Sequence, residues 1–289
     1  MYRALLLIVA CLFICSTASA VNPIADAANK ERRAVIAHAR DAAYVFYGDI
    51  QHIEEKAKYP ETYLNELNNT YANGTAFTVS PEGRLITAAH VIINSNFCSG
   101  NGEEYAAEGN MRETGKHETI CAFTSMDGTH FYTAKLLFID AKLDVAALQL
   151  QELHSPTPYL ELEDDGETQP GDTVISVGDP IGMKNFIALG MVSNVNYVGQ
   201  DSDYPSLRFS MPILPGNSGG PLINTGTSKA AGMINVLATI QIAKTSQNMR
   251  VHPGLRAPTS IVYAVPAAVI KKMLNDFDTG LIPPLGHAK

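Results

Sequence analysis

Short apolar runs broken by glycine and proline, with no helix-length segment between them, constrain this chain more than any other feature. Thr75–Val79 alternates, with Phe77 and Val79 on one face, as a half-buried strand does. Ser80-Pro81-Glu82-Gly83 reads as a turn, and Arg84–Thr87 as the return strand of a hairpin. Similar runs recur at Ala134–Ile139, Val145–Leu150, Thr173–Val177, Gly190–Tyr197, Leu207–Met211, Pro221–Ile223, Ala231–Ala238 and Ile261–Val265. Such a series predicts an all-β sandwich or barrel rather than a parallel α/β sheet. Only after Pro266 does the period change. Val269, Ile270, Met273 and Leu274 are spaced for one helical face, and proline fits the first helical position.

The N-terminal part has a different character. Arg3 is the only charge before residue 21. An apolar run Leu5–Cys15 follows it, and small residues lead to Ala18-Ser19-Ala20. This predicts a cleavable export signal over residues 1–20. The run is shorter than the ~20 residues a bilayer span needs, so no stable membrane span is expected. An uncleaved anchor and a lipidated Cys11 are the alternatives. Residues 21 to about 45 are rich in alanine and predict a helix. Residues 46–73 carry no clear period, so 21–73 is read as an N-terminal extension, 74–279 as the main domain and 280–289 as a tail.

A composition of 46% hydrophobic and 17% charged residues fits a globular chain rather than a disordered one. The net charge of -8 argues against nucleic acid as a main partner. Loss of residues 1–20 would remove Cys11 and Cys15 and leave Cys98 and Cys121. An even pair in an exported chain predicts one disulfide, with two unrelated buried thiols as the alternative. Both cysteines fall in Asn94–Gly128, a polar, glycine-dotted stretch read as one long loop. No C-x-x-C spacing exists, so no metal site and no cofactor are expected.

Three places carry chemistry. In Pro215-Gly216-Asn217-Ser218-Gly219-Gly220-Pro221, glycines on both sides of a serine allow a sharp bend and a close backbone approach. That is what a nucleophile with backbone oxyanion donors requires. In Thr87-Ala88-Ala89-His90-Val91, small residues leave the imidazole unobstructed at a strand end, as a general base needs. In Asp140-Ala141-Lys142-Leu143-Asp144-Val145, Asp144 leads straight into an apolar strand, where its carboxylate could fix an imidazole tautomer. Asp140 is the nearest competitor for that role.

These motifs, in the order His, Asp, Ser, resemble the trypsin-like serine peptidases, and specifically the HtrA or DegP-like branch. The resemblance covers roughly residues 74–275 and extends to Gly74-Thr75-Ala76-Phe77, Gly178-Asp179-Pro180-Ile181-Gly182, Gly190-Met191-Val192-Ser193 and Tyr263-Ala264-Val265-Pro266. It implies two packed six-stranded β-barrels of chymotrypsin-like form, with an N-terminal helical extension and a C-terminal helix in this chain. It also implies a catalytic triad of His90, Asp144 and Ser218, an oxyanion hole from the Gly216 and Ser218 N–H groups, and protein or peptide substrates. By the same resemblance the primary specificity pocket takes its floor from Pro212 and Ile213 and its wall from Ile234-Asn235-Val236. An apolar pocket of this kind favours cleavage after small or medium apolar residues. The chain ends about 70 residues after Ser218, so no PDZ module is expected. The segment Met211-Pro212-Ile213-Leu214 departs from the acidic or amide residue that the branch often carries there.

Two rival functions remain at this point. A peptidase-like fold kept only for binding would retain the same residues without turnover. Alternatively, Gly216-Asn217-Ser218-Gly219-Gly220 satisfies G-x-S-x-G, the nucleophile elbow of α/β-hydrolases, with Asp276 and His287 as partners. That elbow requires a helix directly after the serine.

Overall fold

The computed structural model describes residues 23–46, 74–93, 120–151, 153, 156–180, 183, 185–198, 205–241 and 256–282. The expected signal segment, Cys98, His287 and most of 46–73 lie outside them. The chain divides into two compact units, Met1–Val35 and Ile36–Lys289. Helix α1 (Pro23–Asp41) begins in the first and ends in the second.

Everything that follows lies in the second unit. Twelve strands are described: β1 (Ala43–Phe46), β2 (Gly74–Thr78), β3 (Arg84–Thr87), β4 (Ile120–Ser125), β5 (Phe131–Asp140), β6 (Val145–Leu150), β7 (Thr173–Gly178), β8 (Phe186–Tyr197), β9 (Ser206–Ser210), β10 (Pro221–Asn224), β11 (Ala230–Gln241) and β12 (Arg256–Pro266). A short helix α2 (Ala89–Ile93) follows β3, and α3 (Ala267–Asp278) follows β12. The strands form two closed barrels, ordered β1-β2-β3-β6-β5-β4 and β10-β11-β12-β9-β8-β7. Closure removes the exposed edges that an open antiparallel sheet would present.

Two differences from the sequence reading concern the first barrel. Ala43–Phe46 is a strand, although its alanine-rich surroundings favour helix. It pairs with β2 and β4, so the barrel begins well before Gly74. Tertiary packing overrides propensity here: all four residues are buried, and the Phe46 ring meets Phe123 at 5.2 Å. The second difference is β4, which occupies residues read as part of the long loop. Its apolar core, Cys121-Ala122-Phe123, is too short to give a period against a polar background.

Aromatic and branched side chains fill the barrels. Phe46, Phe77, Phe123, Leu85 and Leu148 are fully buried in the first. Phe209, Met211, Leu222, Ile234 and Val262 belong to the core of the second. Each buried phenylalanine contributes about 2–3 kcal/mol of hydrophobic stabilisation. The half-buried pattern expected for β2 is not observed, because all five of its residues are buried. The inter-barrel segment is pinned to both barrels, with the Leu160 N–H donating to Thr78 O at 2.9 Å and the Glu163 N–H to Ala230 O at 2.9 Å.

Helix α3 buries Ala267, Ile270 and Met273; of the four residues expected on its apolar face, Ile270 and Met273 are buried and Val269 and Leu274 only half-buried. Pro266 caps it rather than forming its first turn. Phe277 on α3 stacks 5.3 Å from Phe138 of the first barrel, and Arg84 pairs with Asp278 at 3.2 Å. The helix thus ties the first barrel to the second-barrel strand from which it grows. No helix follows Ser218; β10 starts three residues later, which removes the α/β-hydrolase alternative. Among the described residues no helix is long and apolar enough to cross a membrane.

Candidate active site

Strand β3 ends at Thr87, and the fully buried Ala88 and Ala89 turn the chain into α2. Their small side chains let this corner sit against its neighbours and leave His90 half-buried at the surface of the first barrel. The loop before β6 supplies the acid. The His90 Nδ1 lies 2.8 Å from Asp144 Oδ2 and 3.0 Å from Oδ1. The His90 backbone N–H donates to Asp144 Oδ1 at 2.9 Å, and the Ala89 N–H donates to Asp144 O at 3.2 Å. An ionised carboxylate only accepts hydrogen bonds, so Nδ1 carries a proton, and in the neutral imidazole Nε2 is then the nitrogen with the free lone pair.

The competing acid has a different place. Asp140 Oδ1 accepts from the N–H groups of Lys142 and Leu143, each at 2.9 Å. It stabilises the turn that presents Asp144. Asp144 itself adopts φ 57°, a left-handed conformation uncommon outside glycine and tolerated best by Asp and Asn.

The serine stands on a turn of the second barrel. Gly216 and Gly219 flank it with φ 103° and 83°, conformations that favour glycine. The Asn217 N–H donates to Leu214 O at 3.2 Å and the Gly220 N–H to Asn217 O at 3.0 Å. The Gly219 N–H donates to Ile234 O at 2.8 Å, which joins the turn to β11. The N–H groups of Gly216 and Ser218 have no hydrogen-bond partner among the described residues. Ser218 is half-buried.

The two barrels bring these parts together. The Thr75 N–H donates to Ser218 O at 2.8 Å, and Thr75 Oγ1 donates to Gly216 O at 2.7 Å. Thr87 Oγ1 donates to Thr75 O at 2.7 Å. A Cβ on Gly219 would fall 2.8 Å from the Ala88 nitrogen, two residues before His90. A Cβ on Gly178 would fall 2.3 Å from Asn217 Oδ1, so the end of β7 also presses on the turn. Thr75 and Thr87 escaped the sequence reading as site residues. Thr75 shares β2 with Thr78 and Thr87 shares β3 with Arg84, so nothing local set either one apart.

The residues expected to form the specificity pocket are spread over two segments. Ile213 and Ile234 are buried in the second-barrel core, and Pro212 is exposed. Asn235 sits where the pairing of β11 with β12 shifts register, and its Oδ1 is buried without a hydrogen-bond partner among the described residues. The Val236 backbone pairs with Tyr263. A separate concavity of about 640 Å³, lined in part by Arg40, Asp127, His130 and Tyr132, includes none of His90, Asp144 or Ser218. Among the described residues no cluster of His, Cys, Asp or Glu could hold a metal.

Comparison with known proteins agrees with the two-barrel architecture. The family described as trypsin-like peptidase domain matches residues 74–233. The serine protease HTRA1A of Danio rerio is 27% identical over 70% of this chain and 37% of its own length. The serine protease HTRA3 of Rattus norvegicus is 26% identical over 79% of this chain and 42% of its own. A probable periplasmic serine endoprotease, DegP-like, of Chlamydia pneumoniae is 30% identical over 52% of this chain and 26% of its own. The chain thus spans about two fifths of the length of the first two of these relatives. Two closed six-stranded barrels and a family match over more than half the residues leave one assignment: this chain belongs to the trypsin-like peptidases, as an HtrA-like member of that fold.

Proposed function

We propose that the chain is an exported serine endopeptidase in which His90, Asp144 and Ser218 form the catalytic triad. The observation that carries this reading is the contact of both Asp144 carboxylate oxygens with His90 Nδ1, at 2.8 and 3.0 Å. It leaves Nε2 as the base. Ser218 Oγ attacks the scissile carbonyl carbon while Nε2 takes the hydroxyl proton. The carbonyl oxygen becomes an oxyanion, which the Gly216 and Ser218 N–H groups stabilise. Collapse breaks the C–N bond, Nε2 gives its proton to the leaving amine, and an acyl ester on Ser218 remains. A water, deprotonated by the same Nε2, then hydrolyses that ester.

The preferred residue before the cut is small or medium and apolar. In support, none of the residues expected to form the pocket, Pro212, Ile213, Ile234, Asn235 and Val236, carries a charge, so a buried Lys or Arg side chain would meet no counter-charge from them. Export is inferred from the expected signal segment over residues 1–20, and the relative from Chlamydia pneumoniae carries the word periplasmic in its name. Cys98 and Cys121 form a disulfide in the mature chain. That reading is supported by Cys121, which is fully buried and disulfide-bonded, its expected partner lying outside the described residues.

The test is labelling with a peptidyl organophosphonate, followed by cleavage-site profiling on a denatured protein mixture. Wild type should be labelled at Ser218 and should cut after Ala, Val or Leu. Ser218→Ala and His90→Ala should each abolish cleavage, and the double variant should lose little more, because residues that act as one unit are not additive. A folded wild type that neither labels nor cleaves would be a binding protein. Dominant cutting after Lys or Arg would refute the apolar pocket.

A further inference from the structure

The nucleophile turn is rich in glycine, and glycine does not hold a peptide plane by itself. Contacts from outside the turn must help to fix the peptides around the Ser218 N–H. The strongest candidate is a side chain of the other barrel. Thr75 on β2 is fully buried and meets the turn at two carbonyls that bracket the serine. Its Oγ1 donates to Gly216 O at 2.7 Å, and its N–H donates to Ser218 O at 2.8 Å. Its own carbonyl accepts from Thr87 Oγ1 at 2.7 Å, three residues before His90.

The second barrel leaves room for this residue. A Cβ on Gly219 would fall 2.2 Å from Thr75 O, one on Gly220 would fall 3.2 Å from Thr75 Cγ2, and one on Gly178 would fall 3.1 Å from Thr75 Oγ1. Three glycines therefore surround one threonine. The two carbonyls that Thr75 meets belong to the Gly216–Asn217 and Ser218–Gly219 peptides; in the peptide between them Asn217 O accepts from the Gly220 N–H at 3.0 Å, which points the Ser218 N–H the other way.

Resting on the peptidase reading above, we propose that Thr75 is the positioning residue of the oxyanion hole. Its hydroxyl and its N–H hold the two peptides that flank the Asn217–Ser218 peptide, and thereby keep the Ser218 N–H in the orientation that stabilises the tetrahedral intermediate. Thr75 touches neither substrate nor the reacting atoms. It acts through Gly216 and Ser218. The hydrogen bond matters to the transition state and not to ground-state binding, because the oxyanion forms only as the carbonyl carbon becomes tetrahedral.

The experiment compares Thr75→Val, which keeps the shape and loses the donor, with Thr75→Ser, which keeps the donor. Loss of a whole oxyanion donor costs about 100-fold or more, so misorientation of one should cost about 10- to 100-fold. Thr75→Val should lower kcat by that factor, with KM within about twofold, and should weaken a peptide boronate, a tetrahedral mimic, by the same factor as kcat/KM. Thr75→Ser should stay within about threefold of wild type in kcat. The pH midpoint should not move, because the Asp144–His90 contact is untouched. Thr75→Ala removes the same donor with less bulk. It carries the comparison if Thr75→Val has no cooperative melting transition. The proposal is overturned by a donor-less variant with wild-type kcat, by Thr75→Ser as slow as Thr75→Val, or by a loss confined to KM. Wild type that is unlabelled at Ser218 overturns the peptidase reading and this one with it. Labelled wild type beside an unimpaired Thr75→Val overturns this one alone.

Discussion

Gly219→Ala tests whether the nucleophile turn depends on an absence of side chain at the barrel seam. Gly219 has φ 83°, where a Cβ costs about 1–2 kcal/mol. The same Cβ would lie 2.2 Å from Thr75 O, 2.2 Å from Thr87 Oγ1 and 2.8 Å from the Ala88 nitrogen. Two of these atoms are backbone, so a rotamer change cannot relieve them, and overpacking adds about 1–3 kcal/mol. The total is about 2–5 kcal/mol. Gly171 provides the control. It has φ 97°, yet a Cβ there meets nothing within 4 Å, so Gly171→Ala bears only the conformational cost. In urea unfolding, Gly219→Ala should be less stable than Gly171→Ala by about 1–3 kcal/mol. Relief of the clash also moves Ser218 away from the corner that carries His90, and a shift of about 1 Å costs roughly 100-fold in rate. The rate of phosphonate labelling should therefore fall about 100-fold in Gly219→Ala and hold in Gly171→Ala. Equal stability of the two variants, with equal labelling, would refute the reasoning.

Other outcomes follow from the same geometry. Asp144→Asn should reduce turnover by about 10⁴-fold, because an amide can hold the wrong imidazole tautomer. Asp140→Asn should be mild, since an amide oxygen still accepts from Lys142 and Leu143; the reverse ranking would move the acid role to Asp140. Cleavage should fall as the pH drops, because a protonated imidazole cannot accept the Ser218 proton, and full activity at about pH 4 would rule out that base. Non-reducing mass spectrometry of the mature chain should show Cys98 linked to Cys121, with reduction costing on the order of 3 kcal/mol of stability. Two free thiols in protein from its own exported compartment would remove the bridge.

What could be read from the sequence was the part written in local pattern. The strands of the second barrel alternate or run apolar between turn residues, so β7 to β12 stand close to their expected places. Helix α3 keeps its face of Ile270 and Met273 for the same reason. The parts that escaped depend on partners distant in the chain. Ala43–Phe46 is a strand because β2 and β4 lie on either side of it, and four residues cannot signal that alone. Thr75 was legible as a strand residue but not as a clamp, because its acceptor, Gly216, lies 141 residues away. The choice between Asp140 and Asp144 could not be made from spacing, since four residues separate two acids in one turn. The hydrogen bonds distinguish them: one carboxylate turns inward to its own loop and the other outward to His90.

The loop from Asp140 to Asp144 shows how a site of this kind is held in place by strain and compensation. Asp144 occupies a left-handed conformation in which glycine would be more comfortable. Glycine there would delete the carboxylate, so the backbone cost stays with the function. What offsets it is visible on every side. Asp140 caps the turn through two N–H groups, the Ala89 N–H takes the Asp144 carbonyl, and the His90 N–H and Nδ1 take its carboxylate. Each of these partners also fixes the corner from which His90 projects. Across the seam the logic is the mirror image: Gly216 and Gly219 accept positive φ without cost but cannot hold a direction, and Thr75 supplies what they lack. One barrel therefore contributes a carboxylate in a strained conformation that orders an imidazole, and the other a permissive turn held by its own bonds, by β11 and by β2.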